Sequence, residues 1–264
     1  MSMRVRYIAM VALIVVVSAC SGVVDIGPAA TVSDTLEFTE SVDLLFVNNP
    51  AGKVDIEGSD TNGITVERTI RYTNDQPETT AEVRDGTLTL DIDCGARRRC
   101  EVDYEIRIPS DVALEINLAS AAVSASGISG GVRIAAASGS VRLTDINGDV
   151  DISSASGSIR LTDVNGDLDL NTASGSIDGS GLVAADVAAH SASGTVDLAF
   201  DAEVTDLVIE TASGSVAVSV PGGPYRVETG TSSGDVDVSI ATDPGEDQTI
   251  EINTASGDIT IGGA

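Results

Sequence analysis

Four aspartates, Asp149, Asp151, Asp167 and Asp169, recur at an interval of eighteen residues inside two nearly identical stretches, "DINGDVD" and "DVNGDLD". Clustered carboxylate oxygens are what a hard cation such as Ca2+ takes as ligands. The spacing nevertheless departs from the EF-hand loop, which sets its glycine after the third acidic position and closes with a later glutamate. It also departs from the Gly-rich calcium nonapeptide, which has a different glycine count. Two carboxylates stacked at about 4.8 Å repel by only about 1 kcal/mol in water-like surroundings, so the column does not demand a cation. Arg133 shares its face, and Arg142, Arg160 and Asp178 form a mixed column on the opposite one. A solvated, partly neutralised surface is the plainer reading. Weak Ca2+ binding by the four aspartates is the alternative, and no other cofactor is expected.

The remaining candidates are few. His190 is the only histidine, expected outward at a corner opposite Ser153 and Thr172, and without an acid–base partner. Each repeat serine sits beside a tight glycine turn with no base at hand, so nucleophilic chemistry has no support and no catalytic residue is assigned. A row of hydroxyls, Ser154, Thr172, Ser191, Thr211, Thr231 and Thr254, precedes successive repeat serines by two residues. Such a row could bind ice or form a ladder; packing at a turn explains the small residues equally well. Cys94 and Cys100, in "DIDCGARRRCEVD", are spaced for a disulfide closing a short loop if the chain is exported.

Export is written at the start of the chain. "MSMRVRY" carries Arg4 and Arg6, "IAMVALIVVV" is a short apolar run, and "VSAC" ends at Cys20. This order describes a secretory signal rather than a membrane-spanning helix. The small residues before Cys20 resemble the bacterial lipobox, which implies cleavage after residue 19 and lipid on Cys20. Residues 20–33 then read as a tether, and Ser21 after the cysteine suits an outer-membrane destination in a two-membrane bacterium. Several acyl chains, at about 0.8 kcal/mol per buried CH2, hold a protein at a membrane essentially permanently.

Composition narrows the partners. The 264 residues include 41 Asp and Glu against 14 Lys and Arg, a net charge of −27, with three Phe, four Tyr and no Trp. Neither nucleic acid nor an anionic lipid surface is attracted to such a field. With few aromatics, the core falls to Val, Ile, Leu and Ala.

Those aliphatics are spread by a repeat. Written in nines from residue 119, the chain reads ASAAVSASG, ISGGVRIAA, ASGSVRLTD, INGDVDISS, ASGSIRLTD, VNGDLDLNT, ASGSIDGSG. Positions one, five and seven carry the apolar residues, and positions five to seven alternate as a strand does. Ser-Gly and Asn-Gly supply the corners. Odd and even units differ consistently, which a coil of two units explains, each class taking its own face. The fold predicted is all-β, a single-stranded parallel β-helix, or β-solenoid, of about eight coils of 18–23 residues over 119–264, right-handed by the crossover rule. Val141, Ile159 and Ile177 should then lie in one internal row. After Gly181 the period loosens, and the additions, such as "FDAEVTD", "PGGPY" and "ATDPGEDQ", fall between strands. Residues 34–118 form an N-terminal β cap or first coils, in which "DLLFVNNPAGKVDIEG" is a degenerate repeat. The last strand, "DITIGG" at 258–263, is expected to leave an unpaired edge.

With the lipobox, "YEIRIPSDVALEIN" and the serial "TASGS" units together, the chain resembles the bacterial "putative adhesin" family of β-helical repeat lipoproteins, related to autotransporter adhesin head domains. The resemblance covers roughly residues 40–264 and implies an envelope location and a β-helix, with no catalytic motif to carry over. The function expected is therefore non-enzymatic: a lipid-anchored cell-envelope protein presenting a scaffold or adhesin-like surface. Its partners would be the membrane through the lipid, and an envelope protein or surface glycan. A polysaccharide-acting β-helix enzyme and a cation-binding structural solenoid are the alternatives.

Overall fold

The computed structural model describes residues 29–94 and 100–264, which form strands, turns and loops with no helix among them. The signal segment, Cys20 and the first part of the tether lie outside the described residues. Ala29 to Ser33, read as tether, instead begin the strand Ala29–Phe38.

The first unit lies within the strand Ala113–Ile128, and from Val132 on each nine-residue unit becomes a seven-residue strand, as in Val150–Ser156 and Ile159–Asn165. Within these seven-residue units consecutive strands do not pair. Val150–Ser156 runs parallel to Val132–Ser138 on one side and Leu168–Ser174 on the other, each eighteen residues away. Two strands and two corners make one coil, and the chain winds as a parallel β-solenoid with two long faces. The predicted internal row exists. It runs from Val123 through Val141, Ile159, Ile177, Val196 and Val216 to Ile259. Every member of it is at most 2% exposed. Alternation sets the inward positions, and β-branched side chains fill the narrow interior.

The two corners are built differently. At the Ser-Gly corner the glycines stack coil upon coil, and Gly157 takes φ 144°, a conformation closed to other residues. A Cβ at Gly157 would sit 1.8 Å from the carbonyl oxygen of Gly139. Before the Asn-Gly corner, Asp145 and Asp163 adopt the left-handed conformation with φ 54°, in the place that Gly127 and Gly181 hold at φ 68° and 66°. That step inserts an extra residue between inward positions, so Leu143 and Ile146 both face the core.

This difference overturns one expectation. In the ASGS units the first residue does not point inward: Ala119, Ala137, Ala155 and Ala173 are exposed. The residue before each takes the interior place, and Ser154, Thr172, Ser191, Thr211 and Thr254 are buried, at most 8% exposed. The hydroxyl row thus faces the core and offers no ladder to ice. Thr254 and Thr231 donate to the carbonyls of Gly214 and Gly257 at 3.3 and 3.2 Å. The hydroxyls of Ser154, Thr172, Ser191 and Thr211 have no partner.

Ten coils stack among the described residues, and not in chain order. At the start, Leu44–Ser59 is itself a coil, lying between Ala113–Ile128 on one side and Thr87–Asp93 with Cys100–Pro109 on the other. The chain lays this coil, crosses to build the outer one, and returns to continue the stack. At the far end the exchange is repeated. Thr249–Ser256 and Ile259–Gly263 slot between the coil Asp206–Ser213 with Val216–Val220 and the coil Arg226–Thr231 with Val236–Val238. The last strand is therefore an interior strand, paired on both edges. The expected free edge belongs instead to 226–238.

The outer coil at the N-terminal end is covered. Ile64–Thr73 and Glu78–Arg84 pair antiparallel with its two strands, and Ala29–Phe38 pairs in turn with Ile64–Thr73. Arg68, 7% exposed, donates from Nε to Asp34 Oδ1 at 2.9 Å and lies opposite Tyr104 across the ladder. Burial pushes the Tyr104 phenol up, against the opposing pull of Arg68. Cys94 and Cys100 are joined at the corner of this coil with Cα atoms 5.7 Å apart.

Candidate binding surface

The four sequence-selected aspartates lie on one face, in two adjacent columns. Asp149 and Asp167 stack at the start of successive strands, and Asp186 and Asp206 extend the column. The backbone N–H of Asp167 donates to Asp149 Oδ1 at 3.1 Å, and that of Asp186 to Asp167 Oδ1 at 3.1 Å. Asp206 accepts instead from the side-chain hydroxyl of Thr249, whose backbone N–H donates to the Thr205 carbonyl at 2.8 Å. Each carboxylate thus clips its coil to the next, a role that needs an acceptor at the corner. In the neighbouring column Asp151 accepts from Arg133 Nε at 3.0 Å, and Asp169 accepts from Asn171 Nδ2 at 2.7 Å. On the other face Arg160 pairs with Asp178 at 3.2 Å. Such exposed pairs contribute at most about 1 kcal/mol each. No group of three or more His, Cys, Asp or Glu side chains among the described residues is arranged to hold a metal ion.

His190 sits in the outward row Ser153, Asn171, His190, Glu210. Its immediate neighbours are Asn171 and Glu210, not Thr172, which points inward. Nor is it partnerless, because Nδ1 lies 3.3 Å from Glu210 Oε2. No serine hydroxyl is bonded to it.

Beside this row runs a shallow trough along the Ser-Gly corner, floored by the outward alanines and walled by Asn117, Ser153, Asn171, His190 and Asn253. Their exposure follows from the glycine stack, which turns the chain too tightly for a larger residue to tuck under. The trough offers an extended, mainly van der Waals contact surface with few fixed polar groups.

From Gly181 onward the additions gather at the opposite corner, whereas in the outer coil the loop closed by Cys94 and Cys100 is inserted at the Ser-Gly corner. The additions at 182–185, 201–205, 221–225 and 239–248 all fall where the chain passes from the second face back to the first. They touch one another. Gln248 donates to Glu203 at 3.3 Å, and Tyr225 is wholly buried with its hydroxyl donating to the Pro221 carbonyl at 2.6 Å. Additions begin where the second glycine stack, Gly130, Gly148 and Gly166, ends. The Ser-Gly corner, where backbones approach in every repeat coil, accepts none of them. Sequence reasoning placed these additions between strands; that they gather at one corner follows from register.

The sequence profile of the family described as Toastrack DUF4097 matches residues 42–262. No curated protein matches the chain. Among solved structures, a "putative adhesin" from Bacteroides fragilis NCTC 9343 is 16% identical with a TM-score of 0.49, over 88% of this chain and 97% of that one. A "putative adhesin" from Parabacteroides distasonis ATCC 8503 is 15% identical with a TM-score of 0.48, over 86% and 96%. A "putative lipid binding protein" from the same organism is 12% identical with a TM-score of 0.35, over 88% and 96%.

Proposed function

The chain belongs to the Toastrack DUF4097 family, and from that premise we propose that it is a non-enzymatic cell-envelope lipoprotein whose solenoid holds a binding surface away from the membrane. One observation carries this reading: the rod is polar. The described chain enters at the capped end, through Ala29–Phe38, and the additions at 201–205, 221–225 and 239–248 belong to coils at the other end. Ten coils at about 4.8 Å separate the two by roughly 40 Å. A lipid on Cys20 would hold the capped end at the bilayer, and the irregular loops would face outward. Loops on a rigid scaffold are where recognition is most readily built.

The test has two arms. Labelling cells with a radioactive fatty acid should mark the chain and not its Cys20→Ala variant, which should move from the membrane fraction to the soluble one. Immobilised protein should retain envelope material, and a variant with 240–247 replaced by a two-residue turn should retain less while keeping its melting temperature. Equal labelling of both chains defeats the anchor, and undiminished retention defeats the loop surface.

A further inference from the structure

We infer that residues 21–26 of the tether dock as a strand on the free edge of Glu78–Arg84 and close the capped end of the solenoid. The two faces stop at different levels there. On the second face Cys100–Pro109 is followed outward by Ile64–Thr73 and then by Ala29–Phe38. On the first face Thr87–Asp93 is followed by Glu78–Arg84 alone, whose other edge pairs with no strand among the described residues. One strand place is therefore open, beside Glu78–Arg84 and across the interior from Ala29–Phe38.

Burial around that place follows the gap. Val66 and Ile70, in a strand flanked on both edges, are 0% and 1% exposed. Thr79, Ala81 and Val83 stand at the same level on the first face and pair with the buried Ile92, Leu90 and Leu88, yet all three are only half-buried. Ala30, Val32 and Leu36, which pair with Tyr72, Ile70 and Val66, are half-buried too. A strand laid in the open place with apolar residues turned inward covers both rows at once.

Chain direction, length and pattern select the occupant. Ala29 pairs with Thr73, at the same corner where Tyr72 pairs with Cys100. The residues before Ala29 therefore reach the first face by crossing that corner, and they run antiparallel to Glu78–Arg84, which starts there with Glu78 beside Asp93. Gly27 and Pro28 suit the crossing, as turn residues. The stretch "SGVVDI" is one residue shorter than Glu78–Arg84 and alternates Gly22, Val24 and Ile26 with Ser21, Val23 and Asp25. In the docked register Ile26 stands beside Thr79 and Val24 beside Ala81, both inward, while Asp25 lies outward beside Thr80. A second copy of this chain is disfavoured, since it brings a net charge of −27 to an edge carrying Glu78 and Glu82. The tether is already held at the corner, so its docking is an intramolecular step at high effective concentration. Cys20 is left beside the Asp85-Gly86 turn with no spacer. On the lipoprotein reading this mounts the capped end rigidly at the bilayer, whereas the docking itself does not rest on that reading.

The test uses the Cys20→Ala chain without residues 1–19, so that lipid plays no part. Those amides of 79–84 that turn away from Thr87–Asp93 should exchange about hundredfold more slowly than in the added double variant Val24→Asp, Ile26→Asp, the scale of two buried aliphatic side chains. Val132–Ser138 should exchange alike in both proteins, which shows that the variant folds. For register, Asp25→Cys with Thr80→Cys should cross-link under mild oxidation. Asp25→Cys with Thr31→Cys, closer in the chain but on the other face, should not. Equal exchange in the two proteins, or preferential cross-linking of the second pair, overturns the proposal. So does protection of 79–84 that rises with protein concentration, because the occupant is then a second copy. Failure of fatty-acid labelling defeats only the anchor and leaves these readouts unchanged.

Discussion

At the scale of single residues the solenoid is held by its smallest ones. Replacing Gly157 by Ala would force a Cβ into the Gly139 carbonyl at a φ no alanine adopts. Backbone strain and overpacking together should cost about 2–5 kcal/mol, read as a lower urea midpoint. Ala155→Ser, two residues away and exposed, should stay within about 0.5 kcal/mol. The buried hydroxyl row divides in an instructive way. Thr172 has no partner, so Thr172→Val should stabilise by about 1 kcal/mol, the desolvation cost of an unmade bond. Thr254 donates to Gly214, and Thr254→Val should instead destabilise by about 0.5–1.5 kcal/mol. Opposite signs at two equivalent positions in one row would be hard to obtain from any change in helix or strand propensity. Equal signs in thermal melts would show that relaxation provides the missing partners.

Strands and corners were legible in the sequence to different depths. Alternation in "VRLTD" and "VDISS" gave the strands, and the eighteen-residue echo gave their register, because both depend only on period. The parity at the Ser-Gly corner was not legible. Reading every nine-residue unit as equivalent sends Ala155 inward, whereas the left-handed Asp145 and Asp163 shift the phase in alternate units only. The acidic columns were placed on the correct face, but their use was not foreseen. A carboxylate that accepts the next coil's backbone N–H looks, in sequence, like one awaiting a cation. Corner chemistry also yields a prediction. Three extra Gly-Ser residues within 243–247 should cost under about 1 kcal/mol, since lengthening an existing loop adds little closure entropy. The same insertion between Ser193 and Gly194 should abolish folding, because it breaks the stack in which Gly194 faces Gly175. Circular dichroism and limited proteolysis of the two variants would distinguish a graded loss at both sites from this all-or-none contrast.

Across the whole molecule, coil order was invisible in the sequence because parallel strands of one repeat are interchangeable. Arg226–Thr231 and Thr249–Ser256 both match the register of Asp206–Ser213, and nothing in either stretch says which is adjacent. The observed order has an energetic consequence. Among the described residues, the strands of the terminal coil 226–238 pair with the sheet only through Thr249–Ser256 and Ile259–Gly263. Withdrawing the inserted coil therefore releases the terminal coil as well, whereas the terminal coil can open alone. Amides of 226–238 must then exchange at least as fast as those of 249–263, even though they come earlier in the chain. Ile259 is wholly buried between Val216 and Val236, and Ile259→Ala should remove about 2–5 kcal/mol of packing. Its effect on local opening should spread outward, lowering protection in 226–238 together with 249–263, while Val132–Ser138, five coils inward, keeps its own slower exchange. A sequentially stacked solenoid predicts the reverse spread, with 226–238 shielded behind an opening C-terminal coil. Residue-resolved hydrogen exchange on the two proteins separates these orders, since only the interleaved one couples the fastest-exchanging coil to a substitution more than twenty residues beyond it.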